Sequence, residues 1–151
     1  RDSCERAQAT TDLHRLELDE PGDGPLLVCG DRVRLEQVID NILGNAIKYS
    51  PDGGTIHLAL AREEGEVVLR VTDHGIGIPE AGRERLFERF YRGSNARASE
   101  YGGLGIGLAL SHEIVQRHGG TLALESSDRH GSTFRVTLPL IDQPCADSPD
   151  S

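Results

Sequence analysis

The stretch QVIDNILGNAIKYS, residues 37–50, carries the clearest helical pattern in the chain and decides the interpretation of the rest. Its apolar side chains, continued from Leu35, recur three and four residues apart, which is the period of a helix with one buried face. Asp31 is the predicted N-cap, and Pro51 ends the helix because the residue before a proline disfavours the α conformation. The pattern predicts a helix over residues 31–49.

A second stripe of this helix carries Asn41, Asn45 and Lys48, at spacings i, i+4 and i+7. Asparagine is a poor helix former, so two of them flanking Gly44 are an unusual choice for a merely solvated surface. An amide oxygen is a hard ligand that suits Mg²⁺, and Lys48, the only lysine in the chain, is a point charge that suits phosphate. A solvated helix face and a binding site are the two alternatives here.

The stretch DHGIGIP, residues 73–79, follows an apolar strand that ends at Asp73. A carboxylate in this position can accept a hydrogen bond from an amino group, and Gly75 and Gly77 can admit a flat ring close to the backbone. Ile76 and Ile78 would supply apolar walls. The alternative is a capped turn between a strand and a helix.

The stretch GGLGIGLAL, residues 102–110, places Gly103, Gly105 and Gly107 before and inside the start of a helix. Free N–H groups at a helix N-terminus bind phosphate, so an anion site is one interpretation and a floppy loop is the other. The chain has no Gly-Lys-Ser/Thr for a P-loop, and Leu108 stands where a dinucleotide fingerprint from Gly103 requires its third glycine.

The remaining pattern predicts strands over 13–20, 26–30, 55–61, 66–73, 121–127 and 132–140, with further helices from Pro79 and over 105–118. Gly119 is the predicted C′ residue of the last helix. Helices alternating with hairpin-like strand pairs predict an α+β fold, a two-layer α/β sandwich. Its sheet is mixed, mostly antiparallel and of about five strands, with about three helices packed on one face.

Composition narrows the class of function. The formal net charge of −9 argues against binding to nucleic acid or to an anionic membrane, both of which need basic surface. No apolar run approaches the length of a membrane span, and no signal peptide is visible.

The first residue is Arg, so we expect a piece of a longer protein. Cys4, Cys29 and Cys145 are predicted to be reduced thiols, and His14, His57, His74 and His130 to be surface residues.

Together these stretches resemble the catalytic, ATP-binding domain of bacterial sensor histidine kinases, in the wider group of gyrase, Hsp90 and MutL ATPases. QVIDNILGNAIKYS resembles the asparagine box, DHGIGIP the first glycine box, and LFERFYRG the phenylalanine box. GGLGIGLALSHEIVQRHGG resembles the second glycine box with its helix, and HGSTF the G-x-T element of the last strand. The resemblance covers about residues 13–140, with five motifs in family order.

The resemblance implies ATP and Mg²⁺ as ligands and phosphoryl transfer as the chemistry. Asn45 would bind Mg²⁺, Asn41 would assist it or polarise the reacting groups, and Lys48 would contact phosphate. Tyr49 would lie near the adenine and Asp73 would bind the adenine amino group. The other implied ATP-binding residues are Gly75, Gly77, Ile78, Arg89, Arg92, Gly103, Leu104, Gly105, Ile106, Gly107, Leu108 and Thr133.

Residues 92–103 would form a lid over the nucleotide, anchored by Phe87 and Phe90, and Arg97 is a further candidate for reaching the polyphosphate. Thr133 would close the adenine pocket. The lid must move, so the glycines that bound it look like a hinge. This interpretation explains why glycines stand where a helix begins.

None of the six histidines has the sequence context of the family's phosphoacceptor histidine. The resemblance therefore implies that the partner is a separate helical domain bearing that histidine, with a response regulator acting downstream. We expect residues 1–12 to follow those helices, residues 13–140 to form the ATP-binding domain, and residues 141–151 to be a disordered tail. The expected location is cytoplasmic, and a membrane anchor in the parent protein stays open.

Three other functions remain open at this point. One is a serine-protein kinase of the anti-sigma-factor type, and another is a nucleotide-responsive binding module that transfers no phosphate. The third is an ATPase of the gyrase or chaperone type, and the sequence argues against it, because such an enzyme needs a general-base Glu to activate water where this chain has Asn41.

Overall fold

The computed structural model of the chain describes residues 2–20, 22, 26–77, 87 and 106–141. Three helices lie in this part of the chain: α1 (Asp2–Gln8), α2 (Arg32–Lys48) and α3 (Ile106–Arg117). The five strands are β1 (His14–Asp19), β2 (Gly54–Glu63), β3 (Glu66–Asp73), β4 (Thr121–Asp128) and β5 (Gly131–Pro139).

The strands form a single five-stranded sheet in the order β1-β2-β3-β5-β4. β1 runs parallel to β2, and every other neighbouring pair is antiparallel. The predicted fold class, a two-layer α+β sandwich with a mixed and mostly antiparallel sheet, is therefore confirmed.

The helix α2 begins and ends as its sequence predicts. The Asp31 carboxylate accepts hydrogen bonds from the N–H groups of Val33 and Arg34, at 3.0 and 3.2 Å. Such an N-cap satisfies donors that have no partner within the helix. At the other end the helix stops at Lys48, with Tyr49 as the C-cap.

The core lies between one face of the sheet and the helices. In β3 and β5 the residues of this face alternate with outward-facing ones, as the strand period requires. Val71 pairs with Phe134 across these strands, and both pack against α2 and α3. The buried apolar set is Val38, Ile42, Leu43, Ala46, Ile56, Leu58, Val71, Leu108, Ile114, Val115, Leu122, Phe134 and Val136.

The N-terminal residues contain a helix that their sequence does not predict. In α1, Cys4 and Ala7 pack against the core, and Arg6 bonds the Asp40 carboxylate of α2 at 3.1 Å. A helix of seven residues is marginal by itself, so its stability comes from this packing and leaves little periodic signal.

Two predictions about the start of the chain are wrong. Residues 26–30 do not form a strand, since only Leu27 makes an isolated bridge, to Ile141. His14 is buried, with its ring between the Thr11 hydroxyl and the Ser50 carbonyl oxygen, both at 2.6 Å. Such hydrogen bonds satisfy the polar ring inside the protein.

The cysteine prediction is also wrong in part. Cys4 is a free, half-buried thiol, whereas Cys29 is disulfide-bonded. Sequence spacing does not show which cysteines meet in three dimensions.

The predicted helix from Pro79 and the predicted lid over 92–103 lie outside the described residues, as does the tail beyond Ile141. Within the described part of the chain, no helix is long and apolar enough to cross a membrane.

Candidate functional site

The asparagine stripe of α2, which consists of Asn41, Asn45 and Lys48, is only partly buried. Asn41 and Asn45 are half-buried, and Lys48 is exposed in the last turn. Asn41 also contacts α3, because its side-chain Nδ2 donates a hydrogen bond to the buried Ser111 hydroxyl at 3.2 Å. The Asn41 side chain thus stands beside α3 rather than on an isolated surface.

Asp73 ends β3 on the sheet face that carries the helices. Its side chain is 4% exposed, and its Oδ1 accepts the Gly75 N–H at 2.9 Å. Burial raises the pKa of the Asp73 carboxyl above its ordinary value, while hydrogen bonds from the backbone N–H groups of Gly75 and Ser132 act in the opposite direction. A carboxylate held this way is oriented to accept a further hydrogen bond.

The end of α2 and the loop after Asp73 are joined directly. The Tyr49 carbonyl oxygen accepts the Ile76 N–H at 2.9 Å. A Cβ on Gly75 would overlap that same carbonyl oxygen, so only glycine allows this approach. The structure therefore brings Asp73, Gly75 and Tyr49 together.

Gly77 lies against the β4–β5 turn. Its φ is +75°, and a Cβ there would overlap the Asp128 carbonyl oxygen. Close packing within the protein therefore already explains why residues 75 and 77 are glycines, in addition to the expected approach of a flat ring.

A pocket of about 220 Å³ opens beside this turn. Its lining residues are Thr72, Asp73, His74, Ser126, Ser127, Asp128, His130, Gly131, Ser132 and Thr133.

Thr133 does not share the sheet face of Asp73. It pairs with Thr72, and the two hydroxyl groups bond each other at 2.9 Å on the outer face. Ser132 is the residue that pairs with Asp73, and it is buried. The sequence contained the information needed to predict this. Every second residue of a strand lies on the same face, so Ser132 shares the face of the apolar residues Phe134 and Val136.

The other predicted site residues fall into two groups. Ile106 and Gly107 form the first turn of α3, and the Leu108 side chain packs in the core. Outside the described residues lie Ile78, Arg89, Arg92, Gly103, Leu104 and Gly105, together with the lid candidates Phe90 and Arg97.

Phe87 is held by two aromatic contacts. Its ring stacks on His112 of α3 with a centroid separation of 4.9 Å, and meets Phe134 edge to face at 6.5 Å. These contacts are compatible with the expected anchoring of a segment at this point.

Comparison with known proteins identifies the family. The chain matches the family described as Histidine kinase-, DNA gyrase B-, and HSP90-like ATPase over residues 30–142. It belongs to this family of ATP-binding domains and corresponds to the catalytic domain of histidine kinases.

Individual relatives agree with this assignment. Sensor histidine kinase WalK of Bacillus subtilis is 41% identical over 141 residues, covering 92% of this chain and 23% of the relative. Adaptive-response sensory kinase SasA of Nostoc is 43% identical over 136 residues, covering 89% and 33%. The chain therefore spans about a quarter to a third of the length of these relatives.

A solved structure described as mycobacterial sensor histidine kinase MprB has the same fold. Its TM-score is 0.81 at 33% identity, and the match covers 92% of this chain and 91% of that one.

Proposed function

We propose that this chain binds Mg·ATP and supplies the γ-phosphoryl group to a histidine on a separate helical domain. The observation that carries the proposal is the buried Asp73 carboxylate, which is bonded to the Gly75 N–H and joined through this loop to the end of α2. This arrangement suits recognition of a base amino group next to the asparagine stripe.

The residues of α2 fit the polyphosphate end of the ligand. Asn45 would hold Mg²⁺ through its amide oxygen, which is the kind of ligand this ion accepts. Lys48 would pair with phosphate, and Asn41 would assist at the metal or at the reacting groups. Mg²⁺, when bound, supplies charge neutralisation on the phosphates, while the protein residues bind and orient the nucleotide.

Base recognition is tested with Asp73→Ala. We expect its affinity for ATP to fall about tenfold, which is the typical effect of losing one hydrogen bond to a charged group, while GTP binding changes little. Isothermal titration measures both nucleotides, and Asp19→Ala, an exposed carboxylate at the end of β1, is the matched control. An unchanged ratio of ATP to GTP affinity would contradict this role of Asp73.

Phosphoryl transfer is tested by incubating the chain with γ-labelled ATP, Mg²⁺ and the phosphoacceptor helices of its parent protein. We expect a label that acid removes and base does not, because phosphohistidine has an acid-labile N–P bond. An acid-stable label would indicate the serine-kinase alternative. Nucleotide binding without any transfer would indicate a nucleotide-responsive module.

A further inference from the structure

Ser111 is a hydroxyl group placed in an otherwise apolar part of α3. Its side chain is 0% exposed, and the residues on the same helix face, Leu108, Ile114 and Val115, belong to the core. Burying a hydroxyl group costs free energy unless it is hydrogen-bonded. An alanine would fill this position without that cost, so the hydroxyl needs an explanation in its contacts.

The contact is with the asparagine stripe. Asn41 Nδ2 donates to Ser111 Oγ at 3.2 Å, between residues 70 positions apart in the sequence. A side-chain amide is planar, and its oxygen and nitrogen are bonded to the same carbon. A hydrogen bond that holds Nδ2 in place therefore also restricts where Oδ1 can lie.

We propose that Ser111 is a positioning residue, which orients the Asn41 amide so that its oxygen serves the Mg²⁺-nucleotide complex. This inference rests on the proposed function. Ser111 itself touches no ligand in this scheme and acts only through Asn41. Because α3 begins at Ile106, within the second glycine box, the same hydrogen bond ties the predicted phosphate-binding helix to the asparagine helix.

The test compares nucleotide affinity with and without the metal. The whole chain is titrated with ATP in Mg²⁺ and again in EDTA, and the ratio of the two dissociation constants measures the contribution of Mg²⁺. In Ser111→Ala we expect this ratio to fall about fivefold, the effect of one misplaced hydrogen-bonding group, while the affinity in EDTA stays unchanged. Ser111→Thr, which keeps the hydroxyl, should restore the ratio.

Two controls separate positioning from stability. Ser3→Ala removes another buried hydroxyl, which lies in α1 and bonds Arg6 rather than an asparagine of α2, and should leave the ratio unchanged. In an Asn41→Ala background, Ser111→Ala should have almost no further effect, because its influence passes through Asn41. Without nucleotide, the NMR signals of the Asn41 side-chain amide should shift in Ser111→Ala.

The possible outcomes are distinct. If wild type binds ATP but Ser111→Ala lowers affinity equally in Mg²⁺ and EDTA, or leaves the ratio unchanged, the positioning role is wrong and the proposed function stands. An additive effect in the double variant also overturns it. If wild type binds no nucleotide under either condition, the proposed function fails and this inference fails with it.

Discussion

Asp73 is a charged side chain in a buried position, which costs folding free energy. Its carboxylate is buried, and the backbone N–H groups that bond it offset only part of the cost of desolvation, so its pKa is raised. A residue selected only for packing would not carry this charge. The same burial strengthens any hydrogen bond that the carboxylate makes to a ligand.

We expect Asp73→Asn to change how stability depends on pH. Because the folded-state pKa lies above the ordinary aspartate value of 3.8, the folded protein binds the proton more tightly than the unfolded chain does. The stabilisation from this group is therefore complete below that value and is lost as pH rises through the folded-state pKa. The Asn side chain does not ionise, so the variant does not lose this stabilisation. Its free energy of unfolding should therefore rise relative to that of wild type as pH rises from about 4 to about 7.

Urea denaturation of both proteins across this pH range, without nucleotide, measures the effect. Asp19→Asn, an exposed carboxylate, is the control and should follow wild type. A difference between Asp73→Asn and wild type that is constant with pH would contradict the assigned cause.

At the scale of elements, α2 and α3 are joined by polar contacts at two places along a shared apolar core. Asn41 bonds Ser111 near the middle of both helices, and His118, just after α3, bonds Asp31, the residue before α2. The His118 ring accepts the Asp31 N–H through Nε2 at 3.0 Å and donates through Nδ1 to the Ile114 carbonyl oxygen at 2.7 Å. These two contacts fix the position of one helix relative to the other.

We expect His118→Ala to lower the free energy of unfolding by about 1–3 kcal/mol, because the Asp31 N–H loses its acceptor and a cavity opens against Gly30. Urea denaturation measures this change. His130→Ala, at an exposed position in the β4–β5 turn, should stay within about 0.5 kcal/mol of wild type. Equal effects of the two variants would show that His118 does not join the helices.

At the scale of the whole molecule, the candidate site lies where elements distant in sequence converge. β3 supplies Asp73, β5 supplies Ser132, and α2 supplies the asparagine stripe. None of these elements forms a site without the others, so ligand binding should be coupled to the folded state as a whole.

Nucleotide should therefore stabilise the entire domain. At about 100 times the dissociation constant, a ligand that binds only the folded state adds about 2.7 kcal/mol. For a domain of this size, this increment raises Tm by roughly 5–10 °C. Thermal unfolding with and without Mg·ADP measures the shift, and Asn45→Ala should lose the part that depends on Mg²⁺. The absence of any shift in wild type would contradict nucleotide binding.

Local patterns were enough to predict α2, the β2–β3 hairpin and α3, because the periodicity that identifies each element is contained within it. They were not enough for α1, which depends on packing against α2, or for residues 26–30, whose apolar run joins no strand. In the site, Asp73 and the asparagines stood out by residue type and spacing. Ser111 and Ser132 did not, because the residue that each of them meets lies far away in the sequence.

The amino-acid sequence by itself determined the main helices, the β2–β3 and β4–β5 hairpins and the candidates on α2, since these depend on neighbours a few positions away. Only the tertiary structure decided that β5 inserts between β3 and β4, that Ser132 rather than Thr133 faces Asp73, and that Ser111 meets Asn41. The physical reason is that these contacts join residues about 60 to 70 positions apart, and the burial of the whole core selects them.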